Sequence, residues 1–417
     1  MAVRRMTHLN KSFAKNIVSV LVTPLMLGLW LLRRVFVIRV MSTHHQLFGH
    51  LSLEPEKYLS ARDSQLDLYE IDFVGEKDWK NIRVHDSIKL EKRILDIWTF
   101  GRKRNQANRY LVKLWKRQVV WLPSFIIDVL LRSNRIFGER VLSEYRFSTL
   151  VSVDRYLDSS GSHIRFRDNE IAQASSMVES LGFSPGSPYV CLICRNQKDS
   201  DQGLRNRNIR DFEYSILELV ARGIGVIRMG SINDVPLAIE HPLVCDYANS
   251  GKRTELLDLY LLANCKFAIS TLSGPDATCL AFRRPVLYVD IANYSLCFTG
   301  TALTTWVPGV IVDTNTNKKL SLREVFDSGA GWFWRDSQFH ERGLDVVRSS
   351  PEEIRDYTID MLNWVDSGES TVDKERQNIY RSTMADAMGD LGEKWHGQIN
   401  SRMSIPFLTK HGDWFLS

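Results

Sequence analysis

Short β-branched runs alternate with stretches of helical spacing along most of this chain. "NIVSVLVTPLMLGLWLL" (16–32) is an uncharged apolar run, and "VFVIRVM" (35–41) reads as a buried strand. A helix is expected over "LSLEPEKYLSAR" (51–62), with Pro55 in its first turn. "LDLYEIDFV" (66–74) reads as a second strand, followed by a helical stretch near 105–119 and the apolar "VVWLPSFIIDVLL". The alternation then becomes cleaner. Strands are expected at 189–195, 224–230, 266–271, 285–291 and 309–313. Helices are expected over 211–223, 253–265, 275–283, 351–366 and 374–390. Repeated strand–helix units with short connections predict parallel, doubly wound sheets.

At 417 residues the chain is too long for one ordinary core. The turn-rich stretch between 140 and 185, with "DSSGSH" and "GFSPGSP", marks a boundary between two domains. The expected division is an apolar and basic segment over 1–34, one Rossmann-like domain over 35–165 and a second over 166–380. A tail over 381–417 is expected to pack back on the first domain.

Charge narrows the choice of partners. The net value of +5, from 54 basic and 49 acidic residues, is far from a nucleic-acid footprint. Six cysteines are scattered through apolar segments. Cys191 and Cys194 are spaced so that, in a strand, their thiols face opposite ways, so all six read as buried free thiols and not as metal ligands. The 16–32 run is flanked by Arg4, Arg5, Lys11, Lys15, Arg33 and Arg34. It is short for a span and contains Pro24, so a helix lying in an anionic leaflet fits better, with a buried first helix as the alternative.

In a parallel sheet, ligands collect beyond the carboxyl ends of the strands. The loops there carry Arg195, then Gly230, then the run Ser270 to Gly274, which opens a helix. A helix start offers N–H groups and partial positive charge to an anion, and Gly274 allows close backbone approach. The competing reading makes Ser273 a simple cap. Arg195 after a buried strand and Arg228 inside one favour a phosphate or diphosphate site, with Asp246 and Asp258 as possible structural partners of Arg228. The loop Arg205-Asn206-Arg207 adds charge, or is a solvated surface balanced by neighbouring aspartates. In the first domain His50 and Glu54, one turn apart, are candidates for a base on an acceptor hydroxyl; capping or surface duty is the alternative.

"VCLICRN", "RNRNIRDFEYSILELVARGIGVIRMGS", "DYANS", "ELLDLYLLANCKFAISTLSG" and "FRRPVLYVDI", together spanning about 189–291, resemble a bacterial family of surface-carbohydrate glycosyltransferases. "RVMSTHHQLFGHLSLEPEKYL" and "SIPFLTKHGDWFL" are similar to that family's beginning and end. The resemblance implies a GT-B-like α/β fold, two Rossmann-like domains facing across a cleft, preceded here by the apolar helix. It implies a nucleotide-sugar donor in the second domain and a glycan or glycolipid acceptor in the first. Carried over by position, Arg195, Arg207, Arg228, Gly230, Asp246, Asp258, Ser273 and Gly274 are the donor residues. The family's His before the Arg is Cys194 here, a departure.

With no aspartate-rich metal motif, transfer is expected to need neither metal nor other cofactor, and positive charge would steady the leaving diphosphate. No G-x-G-x-x-G follows a first strand, which disfavours a NAD oxidoreductase. A nucleotide-sugar epimerase of the same fold and a non-catalytic polysaccharide-assembly factor at the membrane are the alternatives. The basic apolar segment points to the inner face of a bacterial plasma membrane.

Overall fold

The computed structural model describes residues 23–32, 36–42, 44, 46–64, 93–100, 105–136, 142–146, 154–197, 201–230 and 235–417. The expected strand at 66–74 and the apolar residues 16–22 lie outside them. The chain divides into two units, one of Met1–Leu47 with Ala61–Thr149 and one of Phe48–Ser60 with Leu150–Ser417.

The first unit contains α1 (Thr23–Leu32), β1 (Phe36–Ser42), β2 (Arg93–Thr99), α3 (Arg109–Trp115), β3 (Val120–Trp121), α4 (Ser124–Ile136) and β4 (Leu142–Arg146). Between β1 and β2 the chain forms α2 (Phe48–Ser64), most of which belongs to the second unit. The four strands make a parallel sheet in the order β3-β2-β1-β4. Met26 of α1, Val40 of β1, Ile127 and Leu130 of α4 and Leu142 of β4 form its buried cluster. The apolar helix is therefore seated on the sheet along one side. Asn134 extends the ladder, its side chain exchanging two hydrogen bonds with the Leu142 backbone at 2.8 and 3.0 Å.

The second unit is larger. Its elements are α5 (Asp168–Ser180), β5 (Tyr189–Ile193), α6 (Glu213–Ala221), β6 (Gly225–Arg228), β7 (Val244–Cys245), α7 (Glu255–Asn264), β8 (Ala268–Ser270), α8 (Gly274–Ala281), β9 (Val286–Ile291), β10 (Thr304–Pro308), β11 (Val310–Asp313), α9 (Leu322–Asp327), α10 (Asp336–His340), β12 (Leu344–Val347), α11 (Pro351–Ser367), α12 (Thr371–His396), β13 (Arg402–Met403) and α13 (Ile405–Phe415). Seven strands pair in the order β7-β6-β5-β8-β9-β10-β13, all parallel. Every residue of β5 and β9 is buried, which is why these strands read as continuous apolar runs. Strands β11 and β12, by contrast, form a separate antiparallel pair.

Counted from β5, the first six strands follow the 3-2-1-4-5-6 order of a doubly wound nucleotide-binding sheet. The order reverses between β5 and β8. At such a switch point the connections leave in opposite directions and a crevice opens beyond the strand ends.

The expected start of α2 needs correcting. Helix α2 starts at Phe48, so Pro55 lies well inside it and not in its first turn. The same helix, with His50 and Glu54, belongs to the second unit because it is fastened there. Ser52 Oγ lies 2.8 Å from Thr278 Oγ1, Lys57 pairs with Asp154, and the buried Glu56 carboxylate is held by Arg283 Nη2 at 2.8 Å and the His163 backbone N–H at 3.0 Å. The stretch 381–417 also lies in the second unit: β13 adds to β10, and Phe415 packs edge-on to Tyr294 and Phe407. Its aromatic residues had a core within reach. All six cysteines are free, and five are buried; Cys245 on the short strand β7 is half-exposed.

Candidate functional site

At the switch point, the loops after β5 and β8 are tied to each other. The Arg195 N–H donates to Thr271 Oγ1 at 3.0 Å, and the Thr271 N–H to the Ile193 carbonyl at 3.2 Å. Leu272 then adopts φ 66°, a left-handed conformation that costs a bulky residue about 1–3 kcal/mol. This strain turns the Leu272 carbonyl towards Arg205, whose Nε donates to it at 2.9 Å.

Two guanidiniums meet beside this turn. Arg205 Nη1 donates to Gln202 Oε1 at 2.9 Å, and Arg195 Nη2 reaches the same oxygen at 3.4 Å. Burial, and after it the neighbouring Arg195 charge, lowers the Arg205 guanidinium to about 10. Burial lowers Arg195 too, opposed by the charge of Asp336. Both stay cationic at neutral pH, so two like charges are held together around one neutral amide. Asp336, at the start of α10, accepts the Leu204 N–H at 3.2 Å and the Gly203 N–H. Asp201 accepts the Ser337 N–H at 2.8 Å in return. The loop that carries Gln202 and Arg205 is thus clamped at both ends of this exchange.

The start of α8 is less open than the sequence implies. The buried Asp276 carboxylate accepts the Ser273 N–H at 2.5 Å and the Ser270 hydroxyl at 2.6 Å. Burial pushes Asp276 up to about 6 against those hydrogen bonds. Ser273 is the N-cap, as the plainer reading had it. Gly274 faces the backbone of Gly49. A Cβ there would lie 3.2 Å from the Gly49 nitrogen, and one on Gly49 would lie 3.0 Å from the Gly274 carbonyl oxygen. The two glycines allow the first turns of α2 and α8 to touch, bringing two positive helix ends together.

That contact delivers His50 to the same place. His50 Nδ1 lies 2.6 Å from Glu54 Oε1, with the imidazole 52% exposed and the carboxylate 15%. An imidazole backed by a carboxylate is the pairing that general-base chemistry on a hydroxyl uses. His50 and Glu54 are ligand types that a divalent ion also accepts.

The other expected residues form a second group. A cavity of about 700 Å³ opens beyond β5 and β6, lined among others by Asn196, Arg207, Arg210, Arg228 and Arg348. Arg207 is buried and already engaged, with Asp211 at 2.7 Å and with Asp290. Arg228 donates to Asp246 at 3.2 Å and to the Val235 carbonyl at 2.6 Å. Gly230 follows with φ 129°, and residues 231–234 are outside the described part. Asp258 is not Arg228's partner. It accepts from the Tyr247 hydroxyl at 2.8 Å and from Arg253 at 3.0 Å. Cys194, where the family resemblance implies a histidine, donates its thiol to the Arg207 carbonyl at 3.2 Å, and burial pushes it up to about 12.

Sequence reading missed Gln202, Asp336 and Gly49, and left Arg205 undecided. The two groups are contiguous, since the Arg207 N–H donates to the Arg195 carbonyl at 3.0 Å.

No protein-family model and no curated protein matches the chain. The chain is similar to solved structures, among them two glycosyltransferases. One is a glycosyl transferase family 9 protein from Veillonella parvula DSM 2008, at 9% identity over 74% of this chain and 95% of that one, with a TM-score of 0.41. The other is E. coli ADP-heptose LPS heptosyltransferase II, at 12% identity over 60% of this chain and 84% of that one, with a TM-score of 0.35. Similarity at this level fixes neither an activity nor a substrate.

Proposed function

We propose that the chain is a glycosyltransferase that moves a sugar from a nucleotide-sugar donor to a glycan acceptor. The carrying observation is the Arg195–Arg205 pair, two partly buried cations sharing one neutral oxygen at the switch point of a doubly wound sheet. Like charges held this way are stabilised by a dianion, and a diphosphate offers one in a geometry that guanidiniums match. The nucleoside would occupy the cavity beyond β5 and β6.

The chemistry is an exchange at the anomeric carbon. The acceptor oxygen forms the new bond to that carbon as its bond to the diphosphate oxygen breaks. The electron pair leaves with the nucleoside diphosphate, whose growing charge falls to Arg195 and Arg205. The acceptor proton passes to the His50 imidazole, and Glu54 steadies the imidazolium. None of these steps is routed through a metal ion.

The test is to incubate the full chain with a panel of nucleotide sugars and glycan acceptors, with and without EDTA, and to measure nucleoside diphosphate release. Release that needs acceptor, persists in EDTA and falls in Arg205→Gln is expected. Sugar isomerised with no nucleotide release would make the protein an epimerase instead. Neither product from any donor would point to a non-catalytic role.

A further inference from the structure

The two units carry opposite charge. The first has 25 basic and 12 acidic residues, a net +13; the second has 29 and 37, a net −8. The modest total of +5 conceals this division. No acidic residue precedes Glu54, and residues 105–136 hold six basic side chains against Asp128 alone.

The basic unit also exposes apolar groups. Phe125 is 62% exposed, Trp121 42% and Leu31 64%, with Val120 and Leu27 comparably open. These residues are not scattered. Their chain neighbours Leu29, Trp30, Leu122 and Ile126 all pack against the same cluster around Met26 and Ile127, so α1 and the β3–α4 corner flank one another. Lys116 Nζ lies 3.5 Å from the centre of the Trp121 ring, which joins a cation to the most interfacial of side chains.

From this juxtaposition we infer that the first unit rests on an anionic lipid leaflet through Leu27, Leu31, Val120, Trp121 and Phe125. Basic residues attract the headgroups, and the apolar side chains enter the boundary beneath them. A nucleic acid would meet the charge but leave the leucines and Phe125 facing water. The contact so inferred is with the leaflet surface. Met26, on the inner side of α1, is buried against Val40 and Ile127, so that side of the helix faces protein. Among the described residues no helix is long and apolar enough to span. This inference does not depend on the sugar-transfer reading.

The experiment is co-sedimentation of the full chain with vesicles of phosphatidylcholine alone and of phosphatidylcholine with phosphatidylglycerol. Binding to the anionic vesicles is expected, weakened but not abolished by high salt. Trp121→Ser with Phe125→Ser should weaken it about tenfold at an unchanged melting temperature. Leu27→Ser with Leu31→Ser, on the other element, should do the same and gives the reading if the aromatic variant is unstable. Equal binding by both variants overturns the inference, as does failure of the full chain to bind anionic vesicles. Two further results would overturn it: self-association without lipid that the same variants abolish, or tighter binding to a duplex oligonucleotide than to the vesicles.

Discussion

A methyl group added at Gly49 should impair both the fold and the chemistry of the second unit. In Gly49→Ala the new carbon would lie 3.0 Å from the Gly274 carbonyl oxygen, 3.1 Å from Gly274 Cα and 3.3 Å from Ala277 Cβ. Two of these neighbours are backbone and cannot rotate aside. Comfortable carbon contacts are about 3.5–4.0 Å, so α2 and α8 must separate by roughly half an ångström. Overpacking of this kind costs about 1–3 kcal/mol, a fall of a few degrees in melting temperature for a unit of this size. Because His50 is the next residue, it moves with α2. A displacement of 1 Å at a reacting group can cost on the order of a hundredfold, so about a tenfold drop in kcat is expected here, with donor KM little changed. Scanning calorimetry and initial rates on the purified variant measure both effects. Gly161→Ala, where an added carbon meets nothing within 4 Å, is the control and should alter neither. If Gly49→Ala matches the wild type in melting temperature and kcat, α2 is not seated on α8 and His50 is not delivered by that contact.

Two other perturbations read different parts of the site. His50→Ala should lower kcat by about 10²–10⁴ while nucleoside diphosphate affinity, measured by calorimetry, is retained; an unchanged kcat removes His50 as the base. Asp276→Asn tests the buried carboxylate beneath α8. Its value rises from 3.8 unfolded to about 6 folded, so the native state holds the extra proton. Its contribution is favourable below about pH 4 and is lost as pH rises to about 6, by about 3 kcal/mol. Asn keeps an acceptor for Ser270 and Ser273, so the variant should gain stability on the wild type between those pH values; denaturant titrations with no such gain would contradict this.

Much of the second unit was legible because its strands are buried on both faces and its connections are short. Runs such as "YVCLI" and "VLYVDI" have no polar alternation to confuse them, and Ser273 and Pro275 mark the start of α8. The affiliation of α2 was not legible. Glu56, Lys57 and Ser52 look like ordinary helix residues until Arg283, Asp154 and Thr278, more than ninety positions away, supply their partners. The same distance hides the packing at Gly274, where the approaching backbone is that of Gly49. Arg205 and Arg207 are two residues apart in a polar loop, yet one is spent on Asp211 and Asp290 and the other on neutral oxygens. Spacing cannot separate them; only the partners' positions can. The contact between His50 and Glu54 was legible, because a helix brings residues at i, i+4 spacing together.

The most direct measurement is calorimetric titration of nucleoside diphosphate and of the matching nucleoside into wild type, Arg195→Met, Arg205→Met and the double variant. If the arginine pair reads a diphosphate, the diphosphate binds the wild type more tightly than the nucleoside does. Each single substitution should then weaken it by about 1.5–3 kcal/mol, roughly ten- to 150-fold, with nucleoside binding unaffected. Equal affinity for diphosphate and nucleoside in the wild type would contradict the central claim. So would a diphosphate affinity that survives the loss of both guanidiniums.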